Sequence, residues 1–336
     1  MNTCAQSELS VSALFLILER RGEILQYIGG RLFAIIPTLL IVSFVTFGLL
    51  ELTPGDTAIS LAGEDATAAQ IQAIRESLGL DQPFLVRYFD FLAGAVQGDL
   101  GQSLANSQPV MSAVLERLPV TCSLVLFVFI FSILMGVPAG ALAARRPNSF
   151  LDRSISVISS VAMAAPTFLI GLFLILIVSL QFGWLPASGY APMSDGLWEW
   201  TSRLLLPAFA VALHPAAELA RMTRATLTDT LEKDYIRTAR AKGLSETRIV
   251  GKHALKNAAI PVVTALGMQT ARVLGGSVIV EQIFALPGLG SQTIRAVLDR
   301  DVSMIMGIVI VAATVTVLIN LLVDLSYGYF NPKLRK

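Results

Sequence analysis

The chain has 336 residues, 54% of them hydrophobic and only 15% charged, with a formal net charge of +1 and a mean hydropathy of +0.68. A typical soluble domain carries about 25% charged residues, so this composition excludes an ordinary soluble globule; a net charge of +1 says little by itself, and no nucleic-acid partner is expected. Uncharged runs at 32–50, 118–144, 154–194 and 302–323 approach or exceed the roughly 20 residues of a membrane helix, which makes this an all-α polytopic membrane protein.

Residues 1–30 read as a cytoplasmic N-terminal arm or a short interfacial helix. Their apolar core is flanked by acids and lacks a basic start, unlike a secretory leader. Breakers between the apolar runs place six transmembrane helices near 31–52, 120–144, 154–182, 204–222, 259–283 and 303–327, so that 31–327 is the membrane domain and 328–336 a cytoplasmic tail. "FGWLPASGY" turns the chain at an interface after the third span. The fourth span has only 14 uncharged residues between Arg203 and Glu218 and contains Pro207 and Pro215. Prolines persist in membrane helices where neighbours satisfy the freed carbonyls, so this span is expected inside the bundle. "GVPAG", Gly136 to Gly140, reads as a small-residue helix-packing pattern.

Orientation follows from the basic residues. Of the 25 Lys and Arg, eighteen fall in 1–31, 145–153, 221–257 and 328–336, and six in 53–118, 183–203 and 286–302. Both termini are therefore expected in the cytoplasm. The outer loop 53–118 reads as folded: Ile71, Ile74 and Leu78 share a helical face, Thr67 is placed to cap it and Gly79 to stop it. "DQPFLVRYFDFLAGAVQGDLG" follows as a second helix, apolar enough to lie over the membrane domain.

Between the fourth and fifth spans lies "DYIRTARAKGLSETRIVGKHALKN", with six Lys or Arg against Asp234 and Glu246. Good helix formers run from about Leu231 to Lys242, and Gly243 stands where a helix puts its C′ residue. Ser245 can cap a following helix, Glu246 to Lys256. Thr238, Ala239 and Ala241 are small enough for another surface to approach the backbone. The plainer reading is a basic cytoplasmic loop.

At these residues the chain resembles the coupling loop of ABC-importer permease subunits, and most closely the dipeptide, oligopeptide and nickel branch. The positions matching the general Glu-Ala-Ala, Gly, Ile-x-Leu-Pro pattern are Arg237, Thr238, Ala239, Gly243, His253, Leu255 and Lys256, of which Ala239, Gly243 and Leu255 fit it. Further landmarks follow in order: "YIGGRL", "LTPGD", "LGLDQP", "GDLGQS", "ERLPVT", "LGGSVIVEQIFALPGLG" and "YFNPKLRK", with Asn331 where Asp is usual. The resemblance implies a type I importer bundle in a bacterial or archaeal plasma membrane. It implies a second permease subunit, two ATP-binding subunits, an extracytoplasmic binding protein, and peptides as cargo, with nickel chelates or glutathione as alternatives. It places ATPase coupling on Arg237, Thr238, Ala239, Ala241, Gly243 and Leu255. The chain has no G-x-x-x-x-G-K-[ST] loop to hold nucleotide phosphates, so ATP and Mg are expected on the partners and the chain itself is not an enzyme.

Polar residues within the spans are functional candidates. Arg272 lies 13 residues, about 20 Å, into the fifth span. It is placed to line the pathway or to meet an acid on the sister permease. Glu281 is half a turn off its phase and reads as an anchor of the outer gate. Gln269 and Asn320 are placed to bond between helices or to line the pathway, and Glu218 and Arg221 are spaced to pair on one helix. Cys4 and Cys122, His214 and His253 form no metal-ligand or nucleophile–base spacing. A secondary carrier or channel is the alternative of a different class, but it would not need a Gly-capped cytoplasmic motif, and the spans show no inverted repeat.

Overall fold

The computed structural model describes residues 35–52, 57–62, 66–77 and 79–330; the expected arm, the start of the first span, Leu78 and residues 331–336 lie outside these. In chain order the helices are α1 (Ile35–Glu51), α2 (Thr57–Ala62), α3 (Ala68–Ser77), α4 (Phe84–Val96), α5 (Val110–Arg145), α6 (Phe150–Ala164) and α7 (Thr167–Leu174), which runs on as a π-helix over Ile175–Gln181. Then come α8 (Leu197–Leu231), α9 (Asp234–Ala241), α10 (Glu246–Arg248), a second π-helix (Ile249–Ala254), α11 (Leu255–Ile283), α12 (Leu289–Leu298) and α13 (Val302–Phe330). No strand occurs among the described residues.

Four of these, α5, α8, α11 from Pro261 and α13 to Val323, are long and apolar enough to cross a membrane. The pair α6–α7 makes a fifth if its two arms count as one span, and α1 is apolar but only 17 residues long. The expected third span is thus not a straight rod: it bends by 102° at Ala165–Pro166. Ala165 is extended, with φ −74° and ψ 129°, the conformation that a following proline imposes. Pro119, Pro138, Pro207, Pro215 and Pro261 all sit inside helices that continue through them.

α8 is the central column, as its prolines and short apolar stretch require. Two-thirds of its most apolar window is buried, and it packs along α5. The reason is in "GVPAG": a Cβ on Gly136 would stand 2.5 Å from the Ala216 carbonyl oxygen, and one on Gly140 would press on that of Ala220. Side-chain-free positions one turn apart let the two backbones touch. Both helices overrun their expected bounds. α5 begins ten residues earlier than 120, and at 36 residues is about 54 Å long.

In the loop between α1 and α5, Thr67 and Gln70 form a reciprocal capping box: Gln70 N–H donates to Thr67 Oγ1 (3.4 Å) and Thr67 N–H to Gln70 Oε1 (2.8 Å). Gly79, at φ +64°, ends α3. α4 lies against α1 through Tyr88, whose hydroxyl donates to the Leu40 carbonyl (3.1 Å) and shares a hydrogen bond with Ser43 (3.0 Å). Phe47, Tyr88 and Met306 join α1, α4 and α13 in one apolar cluster.

Candidate functional site

The basic stretch folds as a short helix slung between two long ones. α8 runs to Leu231, so the short helix starts at Asp234 rather than Leu231, after an extended Lys233. Its end is a Schellman motif: Gly243 N–H donates to the Arg240 carbonyl (2.9 Å) and Leu244 N–H to that of Ala239 (3.2 Å). Gly243 has φ +80°, a conformation that side chains disfavour. Ser245 occupies the next N-cap position, but its side chain makes no capping bond. From Glu246 the chain stays helical through the π-turn into α11, so the expected helix 246–256 and the fifth span form one rod ending at Ile283.

α9 is fixed by one fully buried residue. Ile236 enters a cluster with Ala144 of α5, Leu227 and Leu231 of α8, and Ile249, Val250 and Ala254 of the π-turn; Ala239 and Leu255 pack against its margin. Arg237, Thr238, Ala241 and Gly243 remain exposed. The six expected coupling residues therefore divide: four are on the outer surface, and Ala239 and Leu255 support it from beneath. Arg240 closes the turn by a two-pronged ion pair with Glu246 (Nε–Oε1 2.7 Å, Nη2–Oε2 3.3 Å) and reaches the Leu231 carbonyl at the end of α8 (3.4 Å). That pair raises the Arg240 pKa and holds the Glu246 carboxyl below the usual carboxylate range, with a smaller contribution from Arg145. The pairing was open to sequence reasoning, since opposite charges flank the Gly at a spacing that a Schellman turn folds back on itself.

Two further ties were not legible in the sequence. Arg224 of α8 forms a bidentate pair with Asp152 at the start of α6, its Nη2 lying 2.7 Å from Oδ2. At the other end of the bundle, buried Asp301 accepts from Met304 N–H (3.0 Å), which caps α13, and from Ser103 Oγ of the "GDLGQS" loop.

Within the spans, Glu281 is fully buried. It accepts from Thr121 Oγ1 of α5 (2.8 Å) and from Ser291 N–H in the first turn of α12 (2.9 Å), while Thr121 Oγ1 accepts from Leu289 N–H (2.9 Å). A carboxylate at a helix N-terminus satisfies donors that have no intrahelical partner. Glu281 thereby joins α5, α11 and α12. A Cβ on Gly288 would lie 2.5 Å from its Oε2, and one on Gly290 2.9 Å, so the glycines of "PGLG" make room for the carboxylate.

Arg272 does not stand alone. Its Nη1 lies 3.3 Å from Glu218 Oε2 on α8, and the same oxygen accepts from Gln269 Nε2. The expected pairing of Glu218 with Arg221 on one helix is therefore replaced. Glu218 turns across to α11, and Arg221 reaches Met163 Sδ (3.4 Å). Asn320 of α13 faces α11, its Oδ1 being 3.6 Å from where a Cβ on Gly267 would be. The structure thus brings Gln269 and Arg272 together, sets Asn320 on the neighbouring helix, and keeps Glu281 apart at the α12 end. Among the described residues no group of three or more His, Cys, Asp or Glu could hold a metal ion.

Comparison with known proteins agrees with this architecture. The family described as binding-protein-dependent transport system inner membrane component matches residues 136–336, and its N-terminal companion matches residues 24–125. A transport system permease protein of Brucella abortus (strain 2308) is 41% identical over 300 residues, covering 89% of this chain and 96% of the relative. The glutathione transport system permease protein GsiC of Shigella flexneri is 40% identical over 311 residues, 93% of this chain and 99% of the relative. The dipeptide transport system permease protein DppB of Alkalihalophilus pseudofirmus is 38% identical over 331 residues, with the same coverage. Among solved structures, an inward-facing MetNI methionine ABC transporter chain has a TM-score of 0.55 at 18% identity, covering 66% of this chain and 97% of that one, which shows the type I importer fold. The chain belongs to the binding-protein-dependent transport system inner membrane component family, the multi-pass permease subunits of ABC importers.

Proposed function

We infer that this chain forms half of the translocation pathway of a peptide importer and that α9 with Gly243 is its docking surface for an ATP-binding subunit. In this reading a second permease supplies the other half, two ATPase subunits hold ATP and Mg, and a binding protein delivers cargo to the α12 end. Both termini then face the cytoplasm, on the same side as the excess of Lys and Arg.

The observation that carries the reading is the mounting of α9. It presents exposed Arg237, Thr238 and Ala241 outward while Ile236 fixes it on a cluster shared by α5, α8 and the rod that becomes α11. A packed cluster transmits displacement instead of absorbing it, so force applied to α9 reaches all three at once. The Arg240–Glu246 pair and the Schellman turn keep the angle between α9 and the rod fixed. Dipeptide and glutathione permeases are both similar to this chain over 93% of its length. Glutathione is itself a small peptide, so short peptides are the cargo class both relatives favour. Purification of the tagged chain from its native membrane in mild detergent tests the assembly. Recovery of a second permease with ATP-hydrolysing subunits is expected. Recovery of the chain alone under several detergents would instead favour a carrier or channel.

A further inference from the structure

α11 leaves one face uncovered among the described residues. Met268, Ala271, Arg272, Gly275 and Ile279 follow each other at helical spacing and are all exposed, while Gln269, Thr270, Val273 and Ser277 on the other side are buried. Arg272 is in the middle of the apolar window Pro261–Ile283. An ionised side chain at that depth faces a water-filled cavity or a charged partner, because hydrocarbon solvates it so poorly. Its side chain is 66% exposed, and its one hydrogen bond among the described residues is the 3.3 Å contact to Glu218, itself 34% exposed.

Three features suit this pair to a ligand with both charges. The pair is net neutral, so a single extra charge from another chain would stand uncompensated in a low-dielectric region. A zwitterion would not: its carboxylate can take Arg272 and its ammonium Glu218, with the charge count unchanged. Second, Gln269 Nε2 donates to the same Glu218 oxygen that Arg272 contacts, so Glu218 keeps a partner when Arg272 turns away. Third, Gln269 is only 1% exposed and its Oε1 has no hydrogen-bond partner among the described residues. This unsatisfied acceptor beside the pair can take an N–H donor from a ligand once the opening of the pair uncovers it.

We propose that Glu218 and Arg272 form a transit site for the charged termini of a short peptide, the α-carboxylate on Arg272 and the α-ammonium on Glu218. The inference rests on the peptide-importer reading. Binding there is weak by construction, since the protein's own ion pair must open before the ligand's two can form. Conduction needs such a site, favourable enough to enter and weak enough to leave.

The test uses the complete importer, with its sister permease, ATPase subunits and binding protein, in proteoliposomes with a radiolabelled dipeptide of free termini. Arg272→Gln and Glu218→Gln are each expected to lower maximal uptake roughly ten- to hundredfold, the range for a lost hydrogen bond to a charged group. The half-saturating concentration of loaded binding protein should not move, and Arg272→Lys should recover at least half of the loss. Uptake within twofold of wild type in both Gln variants overturns the proposal, as does equal loss in the Gln and Lys variants at position 272. Loss of the sister permease from the purified Arg272→Gln complex also overturns it, because Arg272 would then hold the two permeases together. A wild-type complex that moves no peptide removes the peptide reading itself, and this inference with it.

Discussion

Gly288→Ala isolates what the buried carboxylate does. Gly288 has φ −95° and ψ −175°, ordinary extended backbone for alanine, so the substitution carries no conformational penalty. Its whole effect comes from a methyl group 2.5 Å from Glu281 Oε2 and 2.6 Å from Thr121 Oγ1. Reaching van der Waals contact requires the carboxylate to retreat by about 0.9 Å, which stretches the 2.9 Å bond from Ser291 N–H beyond hydrogen-bonding range. Leaving one or two buried donors unpaired costs about 1–3 kcal/mol each, so Gly288→Ala should destabilise by about 1–6 kcal/mol. Glu281→Ala leaves both donors unpaired and should cost about 2–6 kcal/mol. In the double variant the methyl's clash with the carboxylate is gone and only that with Thr121 Oγ1 remains, so the losses should fall short of additive by about 1–3 kcal/mol. The assay is a fixed-rate thermal scan of the purified complex, compared at one detergent concentration because unfolding of such assemblies is irreversible. Strict additivity, or an unaffected Gly288→Ala protein, would refute the reading of Glu281 as the anchor of α12.

Gly243→Val should leave the bundle intact, since no atom of the described residues lies within 4 Å of its Cβ position. It should nonetheless unwind the Schellman turn at a cost of about 1–2 kcal/mol for positive φ. Binding-protein-stimulated ATP hydrolysis should fall at least tenfold, with Gly243→Asn milder. Gly140→Val should force α5 off α8 and reduce the yield of folded chain, while Gly98→Val, where a Cβ meets nothing within 4 Å, should affect only its own turn. The Arg240–Glu246 pair is half exposed, so its stabilisation is below about 1 kcal/mol and weakens with salt. Because the folded Glu246 carboxyl is depressed, that stabilisation is fully present above the ordinary Glu pKa and disappears as pH falls through the folded value. The stability difference between wild type and Arg240→Gln should therefore vanish in acid and reappear on neutralisation.

Local rules made part of this legible in the sequence. Gly243 and Gly79 end their helices, Thr67 opens α3, and "GVPAG" packs α5 on α8, because caps and close approaches depend on residues a few positions apart. Contacts between helices were a different matter. Arg272 and Glu218 are 54 residues apart, and whether their side chains meet depends on the rotation of α8 against α11, which no local pattern encodes. Asp152–Arg224 was illegible for the same reason, and Ser103–Asp301 joins two loops 198 residues apart. Proline was ambiguous: among the described residues Pro119, Pro138, Pro207, Pro215 and Pro261 sit inside helices that continue through them, whereas the third span bends at Pro166, and membrane helices tolerate proline where neighbours satisfy the freed carbonyls. Glu281 was readable as an anchor from its motif, but its partners Thr121 and Ser291 were not.

The central claim is that α9 meets an ATP-binding subunit. A cysteine introduced by Ala241→Cys, with Cys4 and Cys122 replaced by Ser, and a short thiol-reactive photo-crosslinker in native membranes test it directly. The account predicts a cross-link to a subunit that binds ATP, with an efficiency that changes when ATP is added. Cross-links that fall only on this chain or on lipid, in membranes where the same cells import peptide through this system, would contradict it.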